Sequence, residues 1–345
     1  MATLKELADR TGYSPATISR ILNGDPSLAV SSETRRRVLE EAGRLNYTAT
    51  RSRRGRTPKS LLRVGIAEML SPVEQLDDPY YLYLSGFVRQ GCLDRKYTCL
   101  SLESRGEGFI PPDGTPLDGI VAIGLFSPTQ IESLSTLSPN VVFVDSSPWE
   151  SRFDSVVLGY ELGISLALEH LTGLGHRHIG FVGPAYKLDD RRQRAPEVRR
   201  GLFIRLMEER GLLRRDLLLE CPMEADAAAQ AVGSFLHSSV SLPTALLCAN
   251  EDSAIGTLRA LREGGLSVPG QMSVISFNDT PRSALVEPPL TSVSTHVEEM
   301  ARTSLRLLAE RAALPGKEPI RTLPLKVVVP PSLTVRESSG PAPSQ

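Results

Sequence analysis

The sequence predicts a small all-α head followed by a larger α/β body within its 345 residues. Three observations support this fold class. The first 47 residues contain three short segments that carry the start and stop signals of helices. From residue 62 onward, short apolar runs alternate with helix-like stretches, a pattern that indicates parallel sheets with crossover helices. A chain of this length also exceeds one ordinary hydrophobic core, so we expect at least two domains.

Charge is distributed unevenly between these two regions. Residues 1–60 contain twelve Lys or Arg and six Asp or Glu, a net charge of +6, whereas the whole chain carries −1. The remaining residues therefore carry −7. A basic head on an acidic body favours a nucleic-acid partner for the head. Charge alone leaves open the alternative of a solvated basic segment without a partner.

The composition is that of a globular protein, with 41% apolar and 23% charged residues. No apolar run approaches the roughly 20 residues of a membrane-spanning helix, so we expect no membrane association. The charged N-terminus lacks the apolar segment of a secretory signal, which predicts a cytoplasmic location. Four cysteines without metal-finger spacing are expected to be reduced and buried, and we predict neither a metal nor a cofactor. These are Cys92, Cys99, Cys221 and Cys248.

The head has the pattern of a helix-turn-helix with a third, supporting helix. Thr3–Glu6 matches a capping box, and Gly12 is suited to end the first helix. Ser14–Pro15 combines an N-cap with a first-position proline, which starts a second helix that extends to about Leu22. Ser31–Glu33 opens the third helix.

The second helix is expected to expose a face suited to the major groove of DNA. Ala16 is small enough to allow a close approach, and Thr17 offers both a methyl group and a hydroxyl. Arg20 can donate two hydrogen bonds to one guanine. A protein-docking module is the alternative for such a helical fragment, but the local basic charge favours DNA.

The residues from Thr3 to Asn23 resemble the signature of the LacI/GalR family of transcription regulators, with Tyr13 in the place of its valine. The similarity continues through Arg44–Tyr47 and implies that the head, residues 1–47, binds double-stranded operator DNA. The implied base contacts are Ala16, Thr17 and Arg20, and the implied backbone contacts are Ser14, Ser19, Asn23 and Tyr47. Ser31 and Thr34 would lie near a phosphate at the start of the third helix.

The basic hinge, residues 48–61, departs from the family pattern. In the family a short hinge helix carries a leucine that opens a minor-groove step, but here Arg56 follows Gly55 at that position. Glycine disfavours a helix by about 1 kcal/mol relative to alanine. Four arginines suit phosphate neutralisation or insertion into a narrow minor groove: Arg51, Arg53, Arg54 and Arg56. A flexible, protease-sensitive linker is an equally weighted alternative.

Nine apolar runs of the body are candidate strands. They are Arg63–Ala67, Tyr97–Leu102, Gly119–Ile123, Val141–Asp145, Ser155–Leu158, Ile179–Val182, Ala245–Cys248, Ser273–Phe277 and Lys326–Val329. Ligands of parallel sheets bind at the carboxyl ends of strands. Asp145, Asn250 and Asn278 each follow such a run, so they are candidate ligand contacts, although Asp and Asn at strand ends also serve simply as turn formers.

Further strings extend the family resemblance to residue 336. His170–Gly180, Ala249–Gly256 and Pro288–Val293 resemble family landmarks, and they imply a periplasmic-binding-protein-like body of two doubly wound parallel-sheet lobes over residues 62–336. Asp77–Leu82 and Phe277–Pro281 resemble galactoside-operon repressors of the evolved-β-galactosidase repressor type. The resemblance implies an effector pocket for a small sugar, formed by Asp78, Tyr80, Asp145, Arg199, Asn250 and Asn278. Carboxylates, amides and arginine bind sugar hydroxyls in pairs.

The implied function is a sugar-responsive transcription regulator, most simply a repressor of a carbohydrate-utilisation operon. A purine or another non-sugar corepressor is the alternative within the family, because the sequence does not place the aromatic side chains that would stack on a purine. An α/β enzyme is the alternative of another class, but the chain has no nucleotide-binding glycine loop, nucleophile elbow or metal-ligand spacing. A transport binding protein would share the body but would need a signal peptide and no basic head.

Two expectations concern assembly and the chain end. One recognition helix reads only half of a two-fold operator, so we expect a homodimer. No leucine heptad follows Val335, so a tetramer is not expected. Residues 337–345 are rich in Ser, Gly and Pro and are predicted to be a disordered tail.

Overall fold

In a computed structural model, the chain divides into two compact units, residues 1–59 and 60–345. The structure describes residues 4–22, 28, 30–45, 62–189, 192–238, 241–312 and 318–343. The predicted DNA contacts Asn23, Tyr47, Arg51, Arg53, Arg54 and Arg56 lie outside the described residues.

The head contains the three predicted helices, α1 (Leu4–Thr11), α2 (Pro15–Leu22) and α3 (Ser32–Arg44). Gly12 has a φ of +75°, a backbone conformation that side chains with a Cβ disfavour, and its amide donates to Ala8 O at the end of α1. The three helices close over a small apolar core that includes Leu7, Ile18, Ile21, Val38 and Ala42. Burial of these side chains against one another stabilises helices that are too short to persist alone.

The first lobe of the body contains one main sheet and a small separate hairpin. Its strands are β1 (Arg63–Glu68), β2 (Thr98–Ser101), β3 (Glu103–Arg105), β4 (Gly108–Ile110), β5 (Gly119–Ile123), β6 (Val141–Val144) and β7 (Asp154–Leu158). Its helices are α4 (Glu74–Asp77), α5 (Pro79–Asp94) and α6 (Pro128–Leu137). The strands of the main sheet pair in parallel, as the apolar runs predicted.

The second lobe has a similar plan. Its strands are β8 (Ile179–Val182), β9 (Tyr186–Leu188), β10 (Arg194–Pro196), β11 (Leu218–Leu219), β12 (Ala245–Cys248), β13 (Ser273–Asn278) and β14 (Thr291–Ser294). Its helices are α7 (Tyr160–Gly173), α8 (Val198–Glu209), α9 (Ala225–Leu236) and α10 (Glu251–Glu263). The chain then returns to the first lobe through α11 (Val297–Ala312) and β15 (Lys326–Val329), and ends in the second with β16 (Ser332–Thr334).

Two six-stranded sheets result, with the orders β15-β7-β6-β5-β1-β2 and β11-β8-β12-β13-β14-β16. All pairs are parallel except β14–β16. The chain passes between the lobes three times, after β7, β14 and β15. All nine predicted strands are confirmed to within a residue at each end. The shorter strands β3, β4, β9, β10, β11, β14 and β16 were not predicted, because they lack an apolar run long enough to be recognised.

The prediction of a disordered tail is wrong for the described residues 338–342. Ser338 is fully buried, and its carbonyl accepts from Val274 N at 2.7 Å while its hydroxyl donates to Val274 O at 2.6 Å. Ala342 N donates to Leu174 O at 2.9 Å, so the segment follows the second lobe in an extended conformation. A composition rich in Ser, Gly and Pro does not distinguish disorder from an extended segment held by backbone hydrogen bonds.

The four cysteines are free thiols, and all except the half-buried Cys99 are buried, in line with the prediction. In the part of the chain that the structure describes, no group of three or more His, Cys, Asp or Glu is arranged to hold a metal ion. None of the helices described there is long and apolar enough to cross a membrane.

Candidate functional site

The head presents the exposed face of α2, formed by Ala16, Thr17 and Arg20, which we call the DNA-reading face. Ala16 and Arg20 are exposed and Thr17 is half-buried, whereas Ile18 and Ile21 on the opposite face are at most 3% exposed. The apolar side of α2 therefore fixes its orientation on the head core and directs the other side toward solvent. This is the arrangement that the sequence predicted.

Two serines of the head act as helix caps. Ser14 Oγ accepts from Thr17 N at 3.1 Å, and Ser31 Oγ accepts from Thr34 N at 3.1 Å. The Tyr13 hydroxyl lies 3.4 Å from Thr34 Oγ1 and so links the turn to the start of α3. The capped helix N-terminus at Ser31 and Thr34 is suited to bind an anion. The contact of these two residues with a DNA phosphate stays a prediction.

In the body, all six predicted effector residues line one cleft between the two lobes, with an empty volume of about 500 Å³. We call this space the effector cleft. The predicted residues in its lining are Asp78, Tyr80, Asp145, Arg199, Asn250 and Asn278. The further residues in its lining are Tyr81, Tyr160, Lys187, Met223 and Thr295.

Asp145 is the centre of the polar groups on the first-lobe side. It follows β6 with a φ of 71°, and three tyrosine hydroxyls donate to its carboxylate. The distances are 3.2 Å from Tyr80, 2.7 Å from Tyr81 and 3.3 Å from Tyr160. Burial raises the pKa of all three hydroxyls above the usual value for tyrosine, and the negative charge of Asp145 is the second cause. The hydroxyls therefore remain protonated and hold the carboxylate in place.

Arg199 occupies the corresponding position on the second-lobe side and is 5% exposed. Its Nε donates to Glu197 Oε1 at 2.7 Å, its Nη1 to Ala249 O at 2.5 Å, and its Nη2 to Met223 Sδ at 3.1 Å. Burial opposes the charge of the guanidinium, but the surrounding Glu197, Tyr160 and Asp145 together outweigh it and raise the Arg199 pKa. Among the described residues, three of the five N–H donors of Arg199 have partners, which leaves two for a ligand.

Asn250 combines a structural role with its place in the cleft. Its Oδ1 accepts from Ser253 N at 2.9 Å as the N-cap of α10, and its Nδ2 donates to Met223 O at 3.1 Å. The sequence left turn formation and ligand binding as alternatives for Asn250. In the structure its side chain caps a helix and also faces the effector cleft.

Asp78 and Asn278 approach the cleft from the two lobes. Asp78 precedes α5, and its burial raises the pKa of its carboxyl, an effect that the positive charge of Lys187 opposes. Asn278 ends β13 with a φ of 96°, a left-handed conformation that asparagine tolerates better than most residues. Both residues therefore lie at an end of a regular element, Asp78 just before a helix and Asn278 at the last position of a strand.

Comparison with known proteins decides the family. Residues 3–49 match the lacI family of bacterial regulatory proteins, and residues 168–339 match the periplasmic binding protein-like domain. The HTH-type transcriptional regulator GalR of Streptococcus thermophilus is 32% identical over 93% of this chain and 96% of its own length. The HTH-type transcriptional repressor MelR of Bacillus subtilis is 30% identical, with 99% and 98% covered.

The chain belongs to the LacI family. It is accordingly a helix-turn-helix transcription regulator and not an enzyme. Solved structures agree in fold: a complex of the transcriptional regulator CelR with cellobiose has a TM-score of 0.64 at 22% identity, covering 98% of this chain and all of that one. A lac repressor dimer bound to operator has a TM-score of 0.63 at 21% identity, covering 98% and 99%.

Several cleft residues of this LacI-family protein escaped the sequence analysis. Tyr81 stands inside the string Asp77–Leu82, next to the predicted Tyr80, and Tyr160 lies two positions beyond the predicted strand Ser155–Leu158. Lys187 lies on the unpredicted hairpin β9–β10, and Glu197 is hidden beside an arginine-rich run. A buried arginine in a cleft needs a carboxylate nearby, and that requirement was the one available signal for Glu197.

Proposed function

We propose that this regulator represses a carbohydrate-utilisation operon and that a small sugar, a galactoside, bound in the effector cleft controls its affinity for the operator. The observation that carries the proposal is the convergence of Asp145, Arg199 and Asn250 with three tyrosine hydroxyls between two lobes. A ligand held by groups of both lobes favours one lobe angle over another, and it can therefore change a function elsewhere in the molecule.

The chemistry of the cleft favours a polyhydroxyl ligand over a purine. A sugar ring offers hydroxyls in adjacent pairs, which suit a carboxylate such as Asp145, an amide such as Asn250 and the forked donors of Arg199. The Tyr160 ring lines the cleft, and aromatic side chains are among the groups that small-molecule sites offer to the apolar parts of a ligand. A flat heteroaromatic ligand offers fewer hydroxyl groups, so it would use less of the remaining hydrogen-bonding capacity of these side chains, such as the two further N–H donors of Arg199.

We infer that the DNA-reading face contacts base edges of double-stranded operator DNA, with the helix caps at Ser14 and Ser31, together with Ser19 and Thr34, close to the DNA backbone. Asn23 and Tyr47 join these backbone contacts on the strength of the family resemblance. The regulator acts as a homodimer in the cytoplasm, where it meets a two-fold operator. Sedimentation at micromolar concentration would contradict the dimer if only a 37.5 kDa species appeared with and without DNA.

The hinge arginines complete this proposal. Arg51, Arg53, Arg54 and Arg56 lie in the segment that joins the head to the body, and we propose that they neutralise DNA phosphates. Changing Arg53, Arg54 and Arg56 to Gln removes three such contacts, and it should flatten the log–log salt dependence of operator binding by about 2–3 units. An unchanged slope would show that the hinge is a tether without DNA contacts.

The effector proposal is tested by the binding of a labelled operator fragment in the presence of candidate ligands. A galactoside should shift the operator affinity of the native protein by about 5- to 150-fold, the usual range of allosteric coupling. Asp145→Asn should abolish this shift and leave operator affinity without sugar within about twofold of native. A shift with purines and none with sugars would replace the sugar by a corepressor, and a full sugar response in Asp145→Asn would remove the cleft from the proposal.

A further inference from the structure

A second space adjoins the effector cleft on the side of the hairpin β9–β10, with an empty volume of about 1010 Å³. We call it the hairpin cavity. Asp145, Tyr160 and Lys187 line both spaces, so the two are neighbours across these three side chains. The rest of the lining consists of Leu125, Leu188, Asp189, Ala195, Pro196, Glu197 and Val198.

The hairpin presents one face to this cavity and the other to solvent. Its strands pair antiparallel, with Ala195 opposite Lys187 and Arg194 opposite Leu188. Lys187 and Ala195 are half-buried, whereas Arg194 is exposed and lies over the Tyr186 ring at 4.2 Å. The alternation of a strand therefore directs Lys187 and Ala195 inward, toward the two spaces.

The walls of the hairpin cavity come from both lobes. Leu125 and Asp145 belong to the first lobe, and the hairpin belongs to the second. The hairpin also reaches the first lobe directly, because Arg192 Nη1 donates to Gln130 Oε1 at 3.2 Å. Gln130 lies in the first turn of α6, where its side chain also accepts from Ser127 N. A ligand in the cavity would therefore contact both lobes, as a ligand in the effector cleft does.

The lining mixes apolar surface with charge. Leu125, Ala195 and Val198 offer apolar surface, and Lys187 adds a cation that lies close enough to lower the pKa of Asp78. Sugar rings have apolar C–H faces and a rim of hydroxyls, and sites for them combine the same two kinds of group.

We propose that the hairpin cavity is a second sugar subsite, so that the effector is a disaccharide or a longer glycoside rather than a monosaccharide. This inference rests on the proposed sugar effector and extends it. One ring lies among Asp145, Arg199 and Asn250, and the next ring lies against the inner face of the hairpin. The second ring adds contacts to both lobes, and a disaccharide therefore also shifts operator affinity further than a monosaccharide does.

The test is calorimetric titration of the full chain with two monosaccharides, galactose and glucose, and four disaccharides built from them, lactose, melibiose, cellobiose and maltose. At least one disaccharide should bind about tenfold more tightly than either monosaccharide. Ala195→Phe fills the hairpin cavity without touching the first ring, and it should weaken that disaccharide about tenfold while monosaccharide affinity stays within about twofold. Arg194→Phe places the same ring on the solvent face and should change neither affinity.

Val198→Ser supplies a second variant that adds no volume, and it should also weaken only the disaccharide. Its control, Val335→Ser, changes a valine of similar exposure, 57% against 53%, that lies outside both linings, and it should have no effect. Monosaccharides that bind as tightly as every disaccharide, or an Ala195→Phe protein that binds both classes as native does, would overturn the subsite alone. A native protein that binds none of the six sugars would instead overturn the sugar effector, and the subsite with it.

Discussion

The DNA-reading face and the effector cleft reach their geometry in different ways. Ala16, Thr17 and Arg20 stand within five residues on one helix, and local helix signals suffice to place them together. The cleft residues are scattered from Asp78 to Asn278 and meet only when two sheets and their crossovers have formed. Local sequence therefore determines the first site, and tertiary structure determines the second.

The two sites also differ in how many roles each side chain has. Arg20 is exposed on a helix whose stability depends on other residues. In the cleft, Arg199 is held by Glu197, Asn250 caps α10 and Asp145 fixes three tyrosines. In the cleft, the hydrogen bonds and ion pairs that position the ligand-binding side chains also stabilise the lobes. Substitution of these residues is therefore expected to lower the stability of the body as well as ligand binding.

The largest expected effect is a loss of stability when the ion pair behind the effector cleft is broken. Glu197→Gln leaves the Arg199 guanidinium, whose side chain is 6% exposed, without its carboxylate. Breaking a buried ion pair in this way should lower the free energy of unfolding of the body by about 3–5 kcal/mol, measured by denaturant titration. Glu209→Gln provides the control, because its 2.9 Å pair with Arg205 is exposed and should contribute little. If both variants were equally stable, the buried ion pair at the cleft would contribute no more to stability than an exposed pair does.

Arg20→Ala should have the opposite profile. It should weaken operator binding by about 1–3 kcal/mol and relax the preference at one base pair, because a forked contact to guanine is lost. Thermal unfolding should be nearly unchanged, since the side chain is exposed. Titrations on operator and on random DNA provide the comparison. An equal loss on both would identify Arg20 as a phosphate contact rather than a reader of sequence.

The smallest expected effect distinguishes the two roles of Asn250, as a helix cap and as a ligand contact. Asn250→Ser retains a capping oxygen, whereas Asn250→Ala loses the cap and should destabilise the body by about 1 kcal/mol more. Both variants should lose the hydrogen bonds of the amide to a bound sugar, and so should bind it equally weakly in calorimetry. Native sugar affinity in Asn250→Ser would show that this side chain serves the helix alone.

The sequence analysis succeeded where a pattern is local and repeated. The helix caps at Ser14 and Ser31 and the nine predicted strands are found in the structure, and the six predicted effector residues line one cleft. Apolar runs in parallel sheets are long because both faces are buried, and the rule for the carboxyl ends of strands places Asp145, Asn250 and Asn278. The other three cleft residues were implied by the family resemblance.

It failed where the partner is distant in the chain. Tyr81 and Tyr160 bind Asp145 from two other elements, and only the folded structure shows that the three side chains meet. The hairpin strands are three residues each, too short to show a period of two. Ser338 looked like part of a disordered tail because its partner, Val274, lies 64 positions earlier.

The pairing of β7 with β15 has a consequence for biosynthesis. Ser155 pairs with Lys326, which the ribosome adds 171 positions later. At roughly 5–20 residues per second, β7 waits on the order of ten seconds or more for its neighbour. During that interval the first sheet ends in an unpaired edge that carries Val156 and Val157, the kind of edge that invites aggregation. That edge is therefore a target for chaperones that bind nascent chains.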